Sequence, residues 1–211
     1  MATSRLTPEE SLYVALDCEM VGIGPRSTSV LAEVVLVDWN GNTIYHSYVT
    51  PPAPVTNYRY EVSGIHANVL ETKGRPFHIV QAEVEKLIRY KVVVGHGLAN
   101  DFKYLGLRHP SSMTRDTTQH TFFMRPNPKS TGMNPQKLST LAREYLGKEI
   151  QMGKHDPAED ARTAMELFRK FKNLWSAPKK TFAATVAAST KGGTRRHRAA
   201  SRNRKTRRSY H

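Results

Sequence analysis

The spacing of apolar residues along the chain changes several times, and the changes mark its elements. Tyr13-Val14-Ala15-Leu16-Asp17-Cys18-Glu19-Met20 is a mostly apolar run that ends in two acids one residue apart. It predicts a strand, on which side chains two apart point the same way, so Asp17 and Glu19 project together from its end. Residues 30–38, rich in Val and Leu, predict a second strand. Trp39-Asn40-Gly41-Asn42 carries an Asn-Gly hairpin signal, and residues 43–49 return as a third strand. Three antiparallel strands, with the acids on the first, are expected before Pro51, Pro52 and Pro54 interrupt the sheet.

The spacing then turns helical. Ile79, Val80, Val84, Leu87 and Ile88 predict a helix over residues 78–90, and Val92-Val93-Val94 is a short apolar run suited to a buried, parallel-type strand. The glycines of Gly95-His96-Gly97 allow a sharp turn into a second helix over 98–105, with Asp101 about one turn in. Residues 113–117 predict a short edge strand, 121–135 an irregular, proline-interrupted loop, and 135–146 a helix stopped by Gly147. The final helix has a clear start: Asp156 as N-cap, Pro157 at the first position, and Glu159 three residues after the cap in a capping-box pattern. Those roles leave Asp160 without a structural task. It lies beside the inner stripe of Ala161, Ala164, Met165 and Phe168, so its carboxylate should lean toward the sheet, with His155 on the loop just outside the helix.

Taken singly, each acid has an ordinary explanation; an acid in a first helical turn, such as Asp101, often only complements the dipole. Taken together, Asp17, Glu19 and Asp101 lie at or just past the carboxyl ends of strands, where open α/β sheets gather their ligands. With Asp160 they make four hard oxygen ligands, suited to two Mg²⁺ or Mn²⁺ ions. Two such ions clamp the attacking and leaving oxygens of a phosphoryl displacement. A mobile His155 can take the proton of the attacking water, its ordinary pKa of about 6.5 fitting that task. Residues 58–66, where aromatics alternate with charge, are either a surface connection or a substrate-contacting loop in which Arg59 meets a phosphate.

Composition adds a partner. The 211 residues carry 32 Lys and Arg against 18 Asp and Glu, a formal net charge of +14 that points to polyanions such as nucleic acid. Eleven of those cations, and no acid, lie in residues 179–211, so residues 1–178 are nearly neutral, with 21 against 18. The chain thus divides into a short extension (1–10), one domain (11–176) and a basic tail (177–211) too poor in apolar residues to order alone. The tail is expected to serve as an RNA-binding arm, as a nuclear or nucleolar address read by import machinery, or as both. No run approaches the roughly 20 apolar residues of a membrane span, and the N-terminus is not a signal peptide. The single cysteine, Cys18, excludes internal disulfides, suits a reducing compartment, and reads as core filler facing away from the acids.

Three motifs carry a resemblance. Residues 15–22 (Ala-Leu-Asp-Cys-Glu-Met-Val-Gly), 94–102 (Val-Gly-His-Gly-Leu-Ala-Asn-Asp-Phe) and 155–162 (His-Asp-Pro-Ala-Glu-Asp-Ala-Arg) are similar in order and spacing to those of the DEDDh (DnaQ-like) 3′→5′ exonucleases. The eukaryotic branch that includes RNA exonuclease 4 and the interferon-stimulated 20 kDa exonuclease is the nearest in pattern. The resemblance spans about residues 12–175 and implies an RNase H-like fold, a mixed five-stranded sheet flanked by helices. It also implies Asp17, Glu19, Asp101 and Asp160 as metal ligands, His155 as general base, and 5′-mononucleotides released from a free 3′ end. Single-stranded RNA is the expected substrate, in RNA (including rRNA) processing or decay, with Met20 or Phe102 against the terminal base and Arg59 seating the backbone. A DNA exonuclease, or an idle nucleic-acid-binding scaffold, are the alternatives.

Overall fold

The computed structural model describes residues 5–175. Its centre is β1 (Tyr13–Ile23), paired antiparallel with β2 (Thr28–Asp38), which pairs antiparallel with β3 (Thr43–Val49). The β2–β3 turn is fastened by Asp38, whose carboxylate accepts from the N–H groups of Asn40 and Asn42, and Gly41 supplies the positive φ of 83°. A short β4 (Val55–Asn57) pairs with the far end of β1. Then follow α1 (Tyr60–Ser63), α2 (Ala67–Lys73) and the two-residue β5 (Gly74–Arg75), which extends the sheet beyond β3. After α3 (Phe77–Ile88) the chain enters β6 (Val92–Gly95), parallel to β1, and after α4 (Leu98–Leu105) it enters β7 (Thr114–Asp116), parallel to β6.

The five strands expected from the sequence are therefore present as β3-β2-β1-β6-β7, and β4 and β5 enlarge the sheet to seven. Both additions are too short to leave an alternating signature. Residues 121–135, expected to be irregular, instead hold a small hairpin of β8 (Met124–Pro126) and β9 (Met133–Pro135). Its prolines sit at strand ends, where a missing N–H costs no ladder bond. The next helix is broken too: α5 (Leu138–Leu141) widens into a π turn over Ala142–Leu146. The domain closes with α6 (Pro157–Lys170) and α7 (Lys172–Trp175). The basic tail lies outside the described residues. Among the described residues no helix is long and apolar enough to cross a membrane.

Alternation along β1 divides the core in two. Val14, Leu16 and Cys18 face α3 and α4, against Val80, Val84, Ile88, Leu98 and Leu105. Ala15 faces the other way, with Val35, Val37 and Val94, onto Ala161, Ala164, Met165 and Phe168 of α6. A polar Asp17 or Glu19 two and four residues after Ala15 therefore emerges under α6, in line with the acid of that helix. Contrary to expectation, Asp17 and Glu19 lie within β1 and not at its end, since the strand runs on to Ile23 with Val21 buried; the β1–β2 register shifts just after them, a bulge between Glu19 and Met20.

Candidate active site

Two acids come from β1, one from the helix after β6, and one from the first turn of α6. Glu19, Asp101 and Asp160 are 8%, 5% and 4% exposed, and Asp17 is half-buried between them. Asp17, Glu19 and Asp160 line a cleft of ≈ 600 Å³ together with Cys18, Met20, His96, Lys137, Gln151 and His155. Asp101 does not line this cleft; the Cys18 thiol hydrogen-bonds its carboxylate, and its charge is felt by Asp17. Cys18 is buried on the core side as expected, and its thiol is pushed up by burial, but it also steadies a site acid.

Burial raises every one of these carboxyls, and repulsion from the other site acids adds to it at Asp17 and Glu19. Asp17 is held well above the usual carboxylate range by burial first, then by Asp101, Asp160, Glu19 and Glu33. Burial, then Asp160, Glu33 and Asp101, lift Glu19 to about 8. Burial carries Asp101 to about 7 against the pull of the Cys18 thiol, and Asp160 to about 6 against the pull of Gln151 and His155. A cation among them would relieve four carboxyls that resist ionisation side by side. The His155 ring approaches, with Nδ1 3.5 Å from Asp160 Oδ2 and 3.9 Å from Glu19 Oε1.

The donor set fits hard divalent ions. Asp160 Oδ1 is a buried oxygen without a hydrogen-bond partner, which a cation would satisfy. Among the described residues no group of three or more His, Cys, Asp or Glu side chains is arranged to hold a metal ion.

The loop that carries His155 is docked, not loose. The His155 N–H donates to the Val62 carbonyl at 2.6 Å, and Lys154 lies over the Tyr60 ring and bonds its hydroxyl. Its partner is the segment around α1, the expected substrate-contacting loop. Arg59 begins that segment at a positive φ of 52°, and its guanidinium donates to the Ser27 carbonyl at 3.1 Å. Of the three expected substrate contacts, Met20 lines the cleft. Phe102 packs on the α3–α4 side of the core and stacks on His109, and Arg59 is held at the β1–β2 turn.

The turn before Asp101 is braced from β7. Asp116 accepts from the Gly97 N–H and from the backbone and hydroxyl of Thr118. The Thr117 hydroxyl links the Gly95 carbonyl, at 3.1 Å, to His96 Nδ1, at 2.7 Å. Burial lowers the His96 pKa, in keeping with a neutral ring. A side chain at Gly95 would press on the Leu16 carbonyl oxygen at 2.9 Å, so β6 can approach β1 only with glycine there.

Three features escape a reading of the sequence. Glu33, opposite Glu19 across the β1–β2 ladder, is a further buried acid beside the four, and it pairs with His46 Nε2 at 2.6 Å. Asp156 caps α6 through the Ala158 N–H as expected, but Glu159 does not return to the cap; its carboxylate accepts the Gln151 N–H. Gln151 in turn donates its side-chain amide to Asp160. Only the α6 cap carried a local signal; the others depend on register or on a loop reaching back.

The RNase_T exonuclease family matches residues 14–168, which include all four acids and His155. RNA exonuclease 4 of Gibberella zeae is 46% identical over 164 residues, covering 77% of this chain and 50% of the relative. The human apoptosis-enhancing nuclease is 42% identical over 186 residues, covering 81% and 56%. The chain thus spans about half the length of these relatives. Among solved structures, the Saccharomyces cerevisiae Pan2 pseudoubiquitin hydrolase–RNA exonuclease module, in complex with A7 RNA, is 28% identical. It superposes with a TM-score of 0.69 over 87% of this chain and 32% of its own. By the extent of the family match, this chain belongs to the RNase_T exonuclease family.

Proposed function

We propose that the chain is a divalent-metal-dependent 3′→5′ exoribonuclease of the DEDDh type that removes 5′-mononucleotides from single-stranded RNA. The observation that carries this is the set of four mutually repelling carboxyls with the His155 ring at their edge, its Nδ1 3.5 and 3.9 Å from two of them. Asp17, Glu19, Asp101 and Asp160 would hold two Mg²⁺ or Mn²⁺ ions, which offset the charge on the attacking and leaving oxygens. His155 accepts the proton of the water that attacks the last phosphodiester. The bond to the O3′ of the preceding nucleotide breaks, leaving a 5′-mononucleotide and a shortened chain with a new 3′-hydroxyl. Met20, on the cleft wall, packs against the terminal base, with Phe102 on the core side, and Arg59, held at the β1–β2 turn, seats the backbone. The relatives named as RNA exonucleases and the RNA-bound Pan2 module support RNA as substrate. The exonuclease domain would occupy residues 11–176, after a short extension (1–10). The tail from 177 would act as an RNA-binding arm and a nuclear or nucleolar address, placing the work in rRNA maturation or RNA decay.

The test compares matched single-stranded RNA and DNA oligomers, with free or blocked 3′ ends, in Mn²⁺. Shortening of RNA from a free 3′ end, abolished by Asp17→Asn with the fold intact, is the expected result. Equal cleavage of 3′-blocked chains would overturn the direction, faster loss of DNA would overturn the substrate, and an active Asp17→Asn would overturn the site.

A further inference from the structure

Gln151 has no part in the chemistry above, yet three constraints converge on it. Its backbone lies in the left-handed region, φ 56°, which side-chain-bearing residues seldom adopt. Its N–H donates to Glu159 Oε2 at 3.2 Å, and its side-chain amide donates to Asp160 Oδ2 at 2.7 Å. One residue earlier, Ile150 is buried in the cluster of Phe123, Leu138, Leu141 and Leu167, which anchors this end of the loop. Neighbouring residues of the first turn of α6 thus grip one residue of a loop, which carries a strained conformation to be there.

The grip divides the two oxygens of Asp160. Oδ2 is taken by the Gln151 amide, while Oδ1 is buried with no partner. A neutral amide fixes a carboxylate without cancelling its charge, whereas a lysine or arginine at this place would compete with a cation for the same oxygens. It also takes up the oxygen that the His155 ring approaches at 3.5 Å. We propose that Gln151 is a positioning residue of the metal site: its amide locks Asp160 through Oδ2 so that Oδ1 is presented to a divalent cation. This rests on the reading of Asp160 as a metal ligand. Outer partners of this kind carry roughly a 10–100-fold share of metal affinity.

The experiment measures Mn²⁺ binding by calorimetry to the full chain without RNA, for the parent, Gln151→Leu and Gln151→Gly. Thermal unfolding of each is followed in EDTA. Leu removes the donor at similar size; Gly removes it and also relieves the backbone, because φ 56° is comfortable only without a Cβ. The expected result is Mn²⁺ binding weakened about tenfold or more in both variants, with the metal-free Gly variant as stable as the parent or more so. RNA turnover lost at low Mn²⁺ should be regained as Mn²⁺ is raised. A merely structural role predicts the reverse: lower stability in EDTA and Mn²⁺ affinity close to that of the parent. That outcome in both variants overturns the proposal. If the parent itself binds no Mn²⁺, the metal reading of the four acids fails and the positioning role falls with it. A binding parent with unchanged variants sinks the positioning role alone.

Discussion

Replacing Glu19 by Gln should stabilise the metal-free protein while removing most of what metal adds. The Glu19 carboxyl lies at about 8 against an ordinary 4.5, raised by burial and by Asp160, Glu33 and Asp101. A group raised in the folded state contributes fully below its unfolded value, and that contribution is lost as pH rises toward the folded value. Between about pH 4.5 and pH 7 the unfolded chain gives up this proton and the folded one keeps it. At about 1.36 kcal/mol per pH unit, that is about 3 kcal/mol of lost stability at pH 7. A glutamine of the same shape avoids this loss. Its amide, if left without a partner, costs about 1 kcal/mol, so the net gain is about 2 kcal/mol. For a domain of this size such a gain raises Tm by about 4–8 °C.

The assay is thermal unfolding from about pH 5 to about pH 8.5, in EDTA and in Mn²⁺. In EDTA the parent should lose stability steadily as pH rises, and Glu19→Gln should show a flatter profile that lies above it near neutrality. With Mn²⁺ at about 100 times its dissociation constant the parent gains about 2.7 kcal/mol per site. The variant, one ligand short, should gain much less, so the two curves converge or cross. A variant less stable than the parent in EDTA at neutral pH, yet stabilised by Mn²⁺ to the same degree, would show that the carboxyls neither strain the fold nor hold the ion.

Further expectations concern the proton, the rim and the tail. His155→Asn should lower kcat by about 10²–10⁴ with little change in KM, and should flatten the acidic limb of the pH–rate profile; an unchanged limb would assign the proton elsewhere. Arg59→Ala should weaken binding of single-stranded RNA while leaving turnover of bound RNA intact, and equal affinity in a filter-binding assay would remove Arg59 from the substrate path. Deleting residues 179–211 should make log affinity less steep against log salt, by about 0.7 for each phosphate that the tail neutralises on a single strand. A large fall in turnover at saturating substrate would instead make the tail part of the site.

What the sequence disclosed, and what it hid, follows from the range of the forces involved. The Asp17–Glu19 pair and the Asp156-Pro157 start of α6 are legible because strand alternation and capping act within a few residues. The three antiparallel strands are legible from the Asn-Gly hairpin signal between β2 and β3, and the parallel-type β6 from its short continuous apolar run. The two-residue β5 and the β8–β9 hairpin are not, because pairs so short depend on neighbours that alternation does not name. Glu159 shows the same boundary within one motif. Its position fits a capping box, yet a loop nitrogen at Gln151, eight residues earlier, competes for its carboxylate and wins. Glu33 reads as an ordinary polar position until the β1–β2 register sets it opposite Glu19.

That additional acid shows what sets the other four apart. Glu33 is buried and raised by burial like them, but His46 Nε2 at 2.6 Å and the Tyr48 hydroxyl pull it back down. Asp101 receives the Cys18 thiol and backbone N–H groups, and Asp160 the Gln151 amide, neutral donors that orient a carboxylate and leave its charge standing. Among the described residues, the ion pairs that reach the four acids both come from His155, at 3.5 and 3.9 Å, longer than the bond Glu33 makes. The fold can pair a buried acid on this sheet face, and does so on the neighbouring strand. At the cleft it instead supplies orientation without neutralisation, and the price is a metal-free state in which carboxyls resist ionisation up to about 8. A divalent ion from solution would supply that missing positive charge, and it would bring the most charge in the smallest volume.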